Sequence, residues 1–384
     1  MRRLFRVGVY FTVDFAGILI EECYSLLYNA LIIEPAVWFK MVYPIEMEIF
    51  MHEMHEKIFG GLVGHAVGDA LGVSAEFHSR NELRENPVID MLPIMSFHSV
   101  PIVFQPAGTW SDDTSMTLAL ADSLIEMGKY DAEDTMRRYS AWYNKGDYTP
   151  FGEMWDCGNT SSAAIEKYDK GVPVDKCGGD SEHDNGNGSI MRILPLAFYL
   201  HSIYDDYSKH DNAFCLTHLV SSLTHAHIRS QIACGIYLMI AGVLFSQRDI
   251  FAAVSQGIQN ATTYYEKNQE YTIELINFTR LFMTDFAELA EGDIKSGGYV
   301  VETLEAAIWC LLNTSNYADC VLRAVNLGDD ADTTAAVVGG LAGIHYGFAA
   351  IPEKWISSLQ KKEYVLDLYK RFADTFSDNE VHSI

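Results

Sequence analysis

Positive charge is what this chain has least of. Its 27 Lys and Arg stand against 52 Asp and Glu, a formal net charge of -25. A nucleic-acid backbone is held by clustered cations that replace its counterions, so the charge balance argues against that class of partner. An anionic ligand would need local help from backbone N–H groups or bound cations. Cysteine is sparse and unpatterned. The seven residues (Cys23, Cys157, Cys177, Cys215, Cys234, Cys310, Cys320) are odd in number and lack C-x-x-C spacing, which points to reduced thiols in a cytosolic protein without a zinc knuckle or disulfide frame. In such a setting Asn-x-Ser/Thr triplets such as Asn159-Thr160-Ser161 carry no meaning. Long apolar runs are missing too. Arg2, Arg3 and Arg6 open an aromatic and aliphatic stretch that suggests a signal or anchor, but Asp14, Glu21, Glu22 and Glu34 interrupt it short of the roughly 20 residues a membrane span needs. No linker, charge block or low-complexity tract follows from about Glu53 onward. The expectation is an N-terminal extension of unknown role, residues 1–52, an upstream start placed before a natural beginning near Met47 or Met51, followed by one domain, residues 53–384.

What is present reads as an ordinary globular protein, 49% hydrophobic and 21% charged over 384 residues. Apolar residues recur at three and four spacing in segment after segment: 58–70, 116–125, 134–143, 160–168, 190–200, 213–219, 230–245, 271–289, 301–312 and 333–346. The fold class is therefore all-α, a single compact multi-helix domain. Two of these helices carry glycine at every fourth position: Gly60, Gly64, Gly68 and Gly72 in one, and Gly339, Gly343 and Gly347 in the other, continuing the row of Ala331 and Ala335. Each helical glycine costs about 1 kcal/mol relative to Ala, so the repeat makes sense where two backbones approach closely. Both helices are expected at the crowded centre.

The chemistry sits at helix beginnings. Ser111-Asp112-Asp113-Thr114 and Asp330-Ala331-Asp332-Thr333 both place small oxygen-bearing side chains before an apolar helical run. Each alone is a helix cap. Together they look like two halves of one divalent-metal site, because hard cations prefer carboxylate and hydroxyl oxygen and four clustered carboxylates repel without a cation between them. Glu76 follows Gly68-Asp69-Ala70-Leu71-Gly72, a small-residue turn able to aim a carboxylate into a cleft. The loop Asp184-Asn185-Gly186-Asn187-Gly188-Ser189, directly before an apolar helix, suits a ribose or phosphate, or equally a tight turn with a cap. Arg192 just beyond it suggests a partner among the acidic clusters or a ligand phosphate. Thr224-His225-Ala226-His227 lies between apolar segments, which favours a substrate contact or a core histidine over a metal pair.

Taken in order, Gly61 to Gly72 with Glu76, Gly108 to Thr114, Gly186 to Arg192, Thr224-His225 and Gly328 to Thr334 resemble the motifs of ADP-ribosylglycohydrolases, most of all the bacterial branch that activates dinitrogenase reductase. The resemblance covers roughly Lys57 to the C-terminus. It implies an all-α catalytic domain with two Mg²⁺ or Mn²⁺ ions, held by Ser111, Asp112, Asp113, Asp330, Asp332 and Thr333. Glu76 and Asp184 are the implied catalytic acidic residues, and Asn187, Gly188, Ser189 and His225 the implied contacts to ADP-ribose. The implied reaction is metal-dependent hydrolysis of the bond between ADP-ribose and a protein side chain, arginine before serine or a small ADP-ribosyl compound. The chain is expected to act as a cytosolic monomer on an ADP-ribosylated partner, without nucleic acid or membrane. Two other readings stand beside it: a catalytically silent, crystallin-like ADP-ribose-binding protein, and a hydrolase of another phosphorylated nucleotide. Silent relatives tend to lose acidic ligands, and here all are present.

Overall fold

A computed structural model describes residues 43–96, 103–204 and 206–377. The expected N-terminal extension falls for its first 42 residues outside the described residues. Fifteen α-helices and a two-stranded antiparallel hairpin occupy the described part, in the order α1 (Tyr43–Gly72), α2 (Arg80–Glu85), β1 (Ile94–Ser96), β2 (Val103–Gln105), α3 (Asp112–Met127), α4 (Ala132–Lys145), α5 (Asn159–Asp169), α6 (Leu194–Ile203), α7 (Asp211–Ser222), α8 (Ile228–Leu244), α9 (Ile250–Tyr265), α10 (Gln269–Glu274), α11 (Val300–Leu312), α12 (Tyr317–Val325), α13 (Ala331–Tyr346), α14 (Glu353–Ser358) and α15 (Lys362–Phe376). The all-α expectation holds; the hairpin pairs Ile94 with Gln105 and Ser96 with Val103.

The two glycine-bearing helices meet face to face. A methyl group placed on Gly60 would lie 2.6 Å from the Gly343 carbonyl oxygen, one on Gly64 2.5 Å from that of Gly339, one on Gly68 2.1 Å from that of Ala335, and one on Gly72 2.2 Å from the Asp332 Cα. The pairs advance in opposite directions, so α1 and α13 run antiparallel with their backbones in contact. The end of α1 is thereby pressed against the start of α13. Around this pair, α13 is packed by α3, α8, α11 and α12, and α3 is covered by α4 and α15.

One expected helix does not form as a single rod. Residues 271–289 divide into the end of α10, a 3-10 helix over Leu275–Phe282 and a further 3-10 turn over Phe286–Glu288. Asn277 Nδ2 donates to the Glu274 carbonyl at 3.0 Å and Thr279 Oγ1 to that of Ile276 at 3.1 Å, local side-chain bonds that compete with the α-helical ladder. Likewise residues 190–200 begin with a 3-10 turn, Ile190–Arg192, before α6 starts with Pro195 in its first turn.

Candidate active site

The first acidic cluster is built by a carboxylate from α1. Asp69 Oδ1 accepts from the Ser111 N–H at 3.0 Å, and its Oδ2 accepts from the Thr114 N–H at 2.9 Å and the Thr114 hydroxyl at 2.5 Å. These are the free N–H groups that open α3, satisfied by a buried acid from another element rather than by the segment's own cap alone. Ser111 is the N-cap of α3, its Oγ accepting from the Asp113 N–H at 3.3 Å and donating to Asp113 Oδ2 at 3.0 Å. Asp112 accepts from the Gly158 N–H at 3.2 Å.

The second cluster is aimed by a left-handed turn. Gly328 and Asp329 adopt φ +78° and +57°, and a side chain on Gly328 would strike the His78 carbonyl at 2.5 Å. The turn is tied to the segment after α1 by Phe77 N–H donating to the Asp329 carbonyl at 2.8 Å and Asp329 N–H donating to the His78 carbonyl at 2.9 Å. Glu76 and the start of α13 are therefore neighbours. Thr333 Oγ1 crosses to the first cluster, donating to Asp113 Oδ2 at 3.2 Å.

Two carboxylate trios result, each with one oxygen per residue within 4.8 Å of the others: Asp69, Asp113 and Asp332, and Glu76, Asp156 and Asp332. Asp332 belongs to both. Burial is the largest influence on every member and on the adjoining Asp112. It lifts Asp69 and Asp156 to about 6 and Asp112 to about 8, and pushes Glu76 up to about 12 with Asp332 and Asp156 adding repulsion. Asp113 and Asp332 are held well above the usual carboxylate range for the same two reasons. Asp113 Oδ1 and Asp332 Oδ1 are buried with no hydrogen-bond partner among the described residues. Carboxyl oxygens without donors, gathered out of water where they resist ionising on their own, fit a divalent cation by ligand chemistry and by the charge it would balance. Asp69 differs, because both its oxygens already accept from α3.

The expected substrate loop reaches the same place at one end. Asn187 Nδ2 donates to Asp330 Oδ2 at 3.0 Å and to Thr303 Oγ1 at 2.9 Å. Gly188 faces His225, whose Cε1 would lie 2.6 Å from a methyl group placed there. Ser189 is fully buried and its hydroxyl is bonded to Cys234 Sγ at 3.4 Å, on α8. Asp184, expected as a catalytic group, is in neither trio: it accepts from the Ser181 N–H and hydroxyl at 3.0 and 2.5 Å, and those bonds hold its carboxyl below the usual range, as an anion. Of the two partners expected for Arg192, a carboxylate of the acidic clusters is not found beside it among the described residues. Arg192 is fully buried and donates to Tyr139 Oη, the Val220 carbonyl and Thr224 Oγ1, with its guanidinium 4.8 Å from the Tyr139 ring centroid.

Local sequence pattern does not by itself mark Asp69 or Asp156 as site residues. Asp69 carried a signal, a lone carboxylate inside the glycine-rich helical motif. Asp156, in Trp155-Asp156-Cys157-Gly158, had no helix start and no motif to mark it.

The profile of the ADP-ribosylglycohydrolase family matches residues 51–381. ADP-ribosylarginine hydrolase Tri1 of Serratia proteamaculans is 32% identical over 317 residues, 82% of this chain and 78% of that protein. The ADP-ribosyl dinitrogen-reductase glycohydrolase of Rhodospirillum rubrum is 29% identical, over 80% of this chain and 92% of its own. A solved structure titled ADP-ribosylglycohydrolase-related protein complex superposes with a TM-score of 0.64 at 28% identity, covering 84% of this chain and 99% of that one.

Proposed function

The chain belongs to the ADP-ribosylglycohydrolase family, and from that premise we propose that it frees ADP-ribose from arginine side chains of a modified protein, using two Mg²⁺ or Mn²⁺ ions. It is a glycosyl-bond hydrolase acting on ADP-ribosyl linkages. Arginine is preferred because the relatives named for a substrate residue, at 32% and 29% identity, are arginine hydrolases. The observation that carries the metal requirement is the pair of buried oxygens without a hydrogen-bond partner among the described residues, Asp113 Oδ1 and Asp332 Oδ1, at the joined starts of α3 and α13.

Ser111, Asp112, Asp113, Asp330, Asp332 and Thr333 are the proposed ligands, with Glu76 and Asp156 beside them. Bound ions would supply Lewis acidity toward the ribose hydroxyls and lower the pKa of a water. The chain's own part is to orient and to move a proton. In the overall reaction a water oxygen bonds to C1 of the ribose, the C1–N bond to arginine breaks, and the guanidine nitrogen takes up a proton. Glu76, half-buried at the rim of the cluster, is the proposed carboxylate that moves the proton. Asn187, Gly188 and His225 are the proposed ADP-ribose contacts. Asp184 is proposed to act on the loop through Ser181 rather than as a proton carrier.

The test is release of ADP-ribose from peptides modified on arginine or on serine, with Mg²⁺ or Mn²⁺ supplied. The arginine peptide is expected to be the better substrate, and Asp112→Asn or Asp332→Asn to abolish metal-dependent release. Near-normal turnover by either variant overturns the binuclear scheme.

A further inference from the structure

His225 lies between α7 and α8 with its two ring nitrogens in different company. Nδ1 is 2.8 Å from Thr224 Oγ1, while Nε2 faces the glycine loop, 3.2 Å from where a methyl group on Gly188 would stand and 3.5 Å from one on Gly186. Thr224 is fully buried, and its hydroxyl has two partners among the described residues, His225 Nδ1 and Arg192 Nη2. Arginine is a donor and never an acceptor, so the Thr224 oxygen accepts from Arg192. Its own O–H must then go to His225 Nδ1, since a buried hydroxyl proton pointing at nothing costs free energy. An Nδ1 that accepts leaves the ring proton on Nε2.

We infer that Arg192 and Thr224 are positioning residues that lock His225 as the Nε2–H tautomer, a hydrogen-bond donor aimed past Gly188 at an acceptor oxygen of the bound nucleotide. This rests on the proposed reading of His225 as a substrate contact. Burial and the nearby Arg192 charge bring the imidazole down to about 3, against a smaller opposing pull from Asp184, so the ring is neutral and its single proton is the one the relay assigns. A second feature of the same slot agrees. Ser161, 1% exposed on α5, has its Oγ 3.0 Å from where a methyl group on Gly188 would stand and no hydrogen-bond partner among the described residues. Two polar groups thus converge where Gly188 has no side chain, which is where a phosphate or ribose oxygen would receive both donors.

The experiment combines long-range ¹H–¹⁵N correlation of the histidine side chains in the full chain with ADP-ribose titration by calorimetry in Mg²⁺. His225 signals are assigned by their loss in His225→Gln. The wild-type protein should show Nε2–H at His225. Thr224→Val should scramble the tautomer, weaken ADP-ribose about tenfold and raise KM more than it lowers kcat, while Thr224→Ser restores all three; tenfold is one conventional interval of affinity. Ser161→Ala should weaken ADP-ribose and leave the tautomer untouched. An Nδ1–H signal in the wild-type protein overturns the relay even if Thr224→Val fails to fold. So does a folded Thr224→Val with unchanged tautomer. If the wild-type protein shows Nε2–H yet His225→Ala binds ADP-ribose normally, the relay survives and the substrate-contact reading falls.

Discussion

At the scale of single residues, Asp69 matters most among those the sequence left unmarked. Its oxygens meet N–H groups 42 and 45 positions away, so it acts on the cluster through α3 rather than from its own helix. Replacing it with Asn puts an NH₂ donor against the Ser111 and Thr114 donors. Asp69→Asn is expected to lower activity and divalent-metal affinity by about 10- to 100-fold, the usual cost of losing a group that orients a ligand, while the fold survives. Metal titration followed by calorimetry checks it, and unchanged affinity would remove Asp69 from the site. Asp112, Asp113, Asp330 and Asp332 were legible because an acidic pair before an apolar run has a local physical meaning as a helix start. Asp156 was not, because it reaches the second trio through a loop whose path depends on distant packing.

At the scale of elements, the helices α1 and α13 are built around what they lack. Their contact leaves no room for Cβ at Gly68, which would sit 2.1 Å from the Ala335 carbonyl oxygen, whereas Gly292 in a surface 3-10 turn has nothing within 4 Å. Gly68→Ala should destabilise by about 2 kcal/mol, a typical overpacking cost, and lower the melting temperature by several degrees. Gly292→Ala should be near neutral, and equal melting temperatures for the two variants would contradict the packing. Gly72→Ala carries a further consequence, since its Cβ would press on the Asp332 backbone at 2.2 Å: metal affinity should fall along with stability. The four-residue glycine period was readable because a face without side chains has one cheap use. Helix ends were less so. Asn277 and Thr279 broke the segment from 271 to 289 through local bonds that its apolar spacing does not reveal.

At the scale of the whole molecule, the fold spends stability to hold carboxylates out of water. Asp112 is raised to about 8, Asp69 and Asp156 to about 6, and Asp113 and Asp332 are well above the usual carboxylate range. For a group whose folded pKa exceeds its unfolded one, the folded state binds more protons between the two values, so stability falls as pH rises through that interval. Metal-free protein should therefore lose melting temperature between about pH 4 and pH 8, and the increase produced by saturating Mn²⁺ should grow across the same range. A metal-induced increase that is flat with pH would show that the ion binds elsewhere. A chain beginning at Met47 or Met51, close to the proposed domain start at residue 53, should retain ADP-ribose release, measured on the arginine peptide. The sequence by itself determined the helical class, the glycine contact and the two acidic helix starts, because periodicity, backbone bulk and capping are properties of neighbours along the chain. Tertiary structure alone decided that Asp69 and Asp156 join the cluster, that Asp184 turns to Ser181, and that Arg192 faces Thr224 instead of a carboxylate. Those outcomes depend on which donors meet which acceptors after distant segments pack.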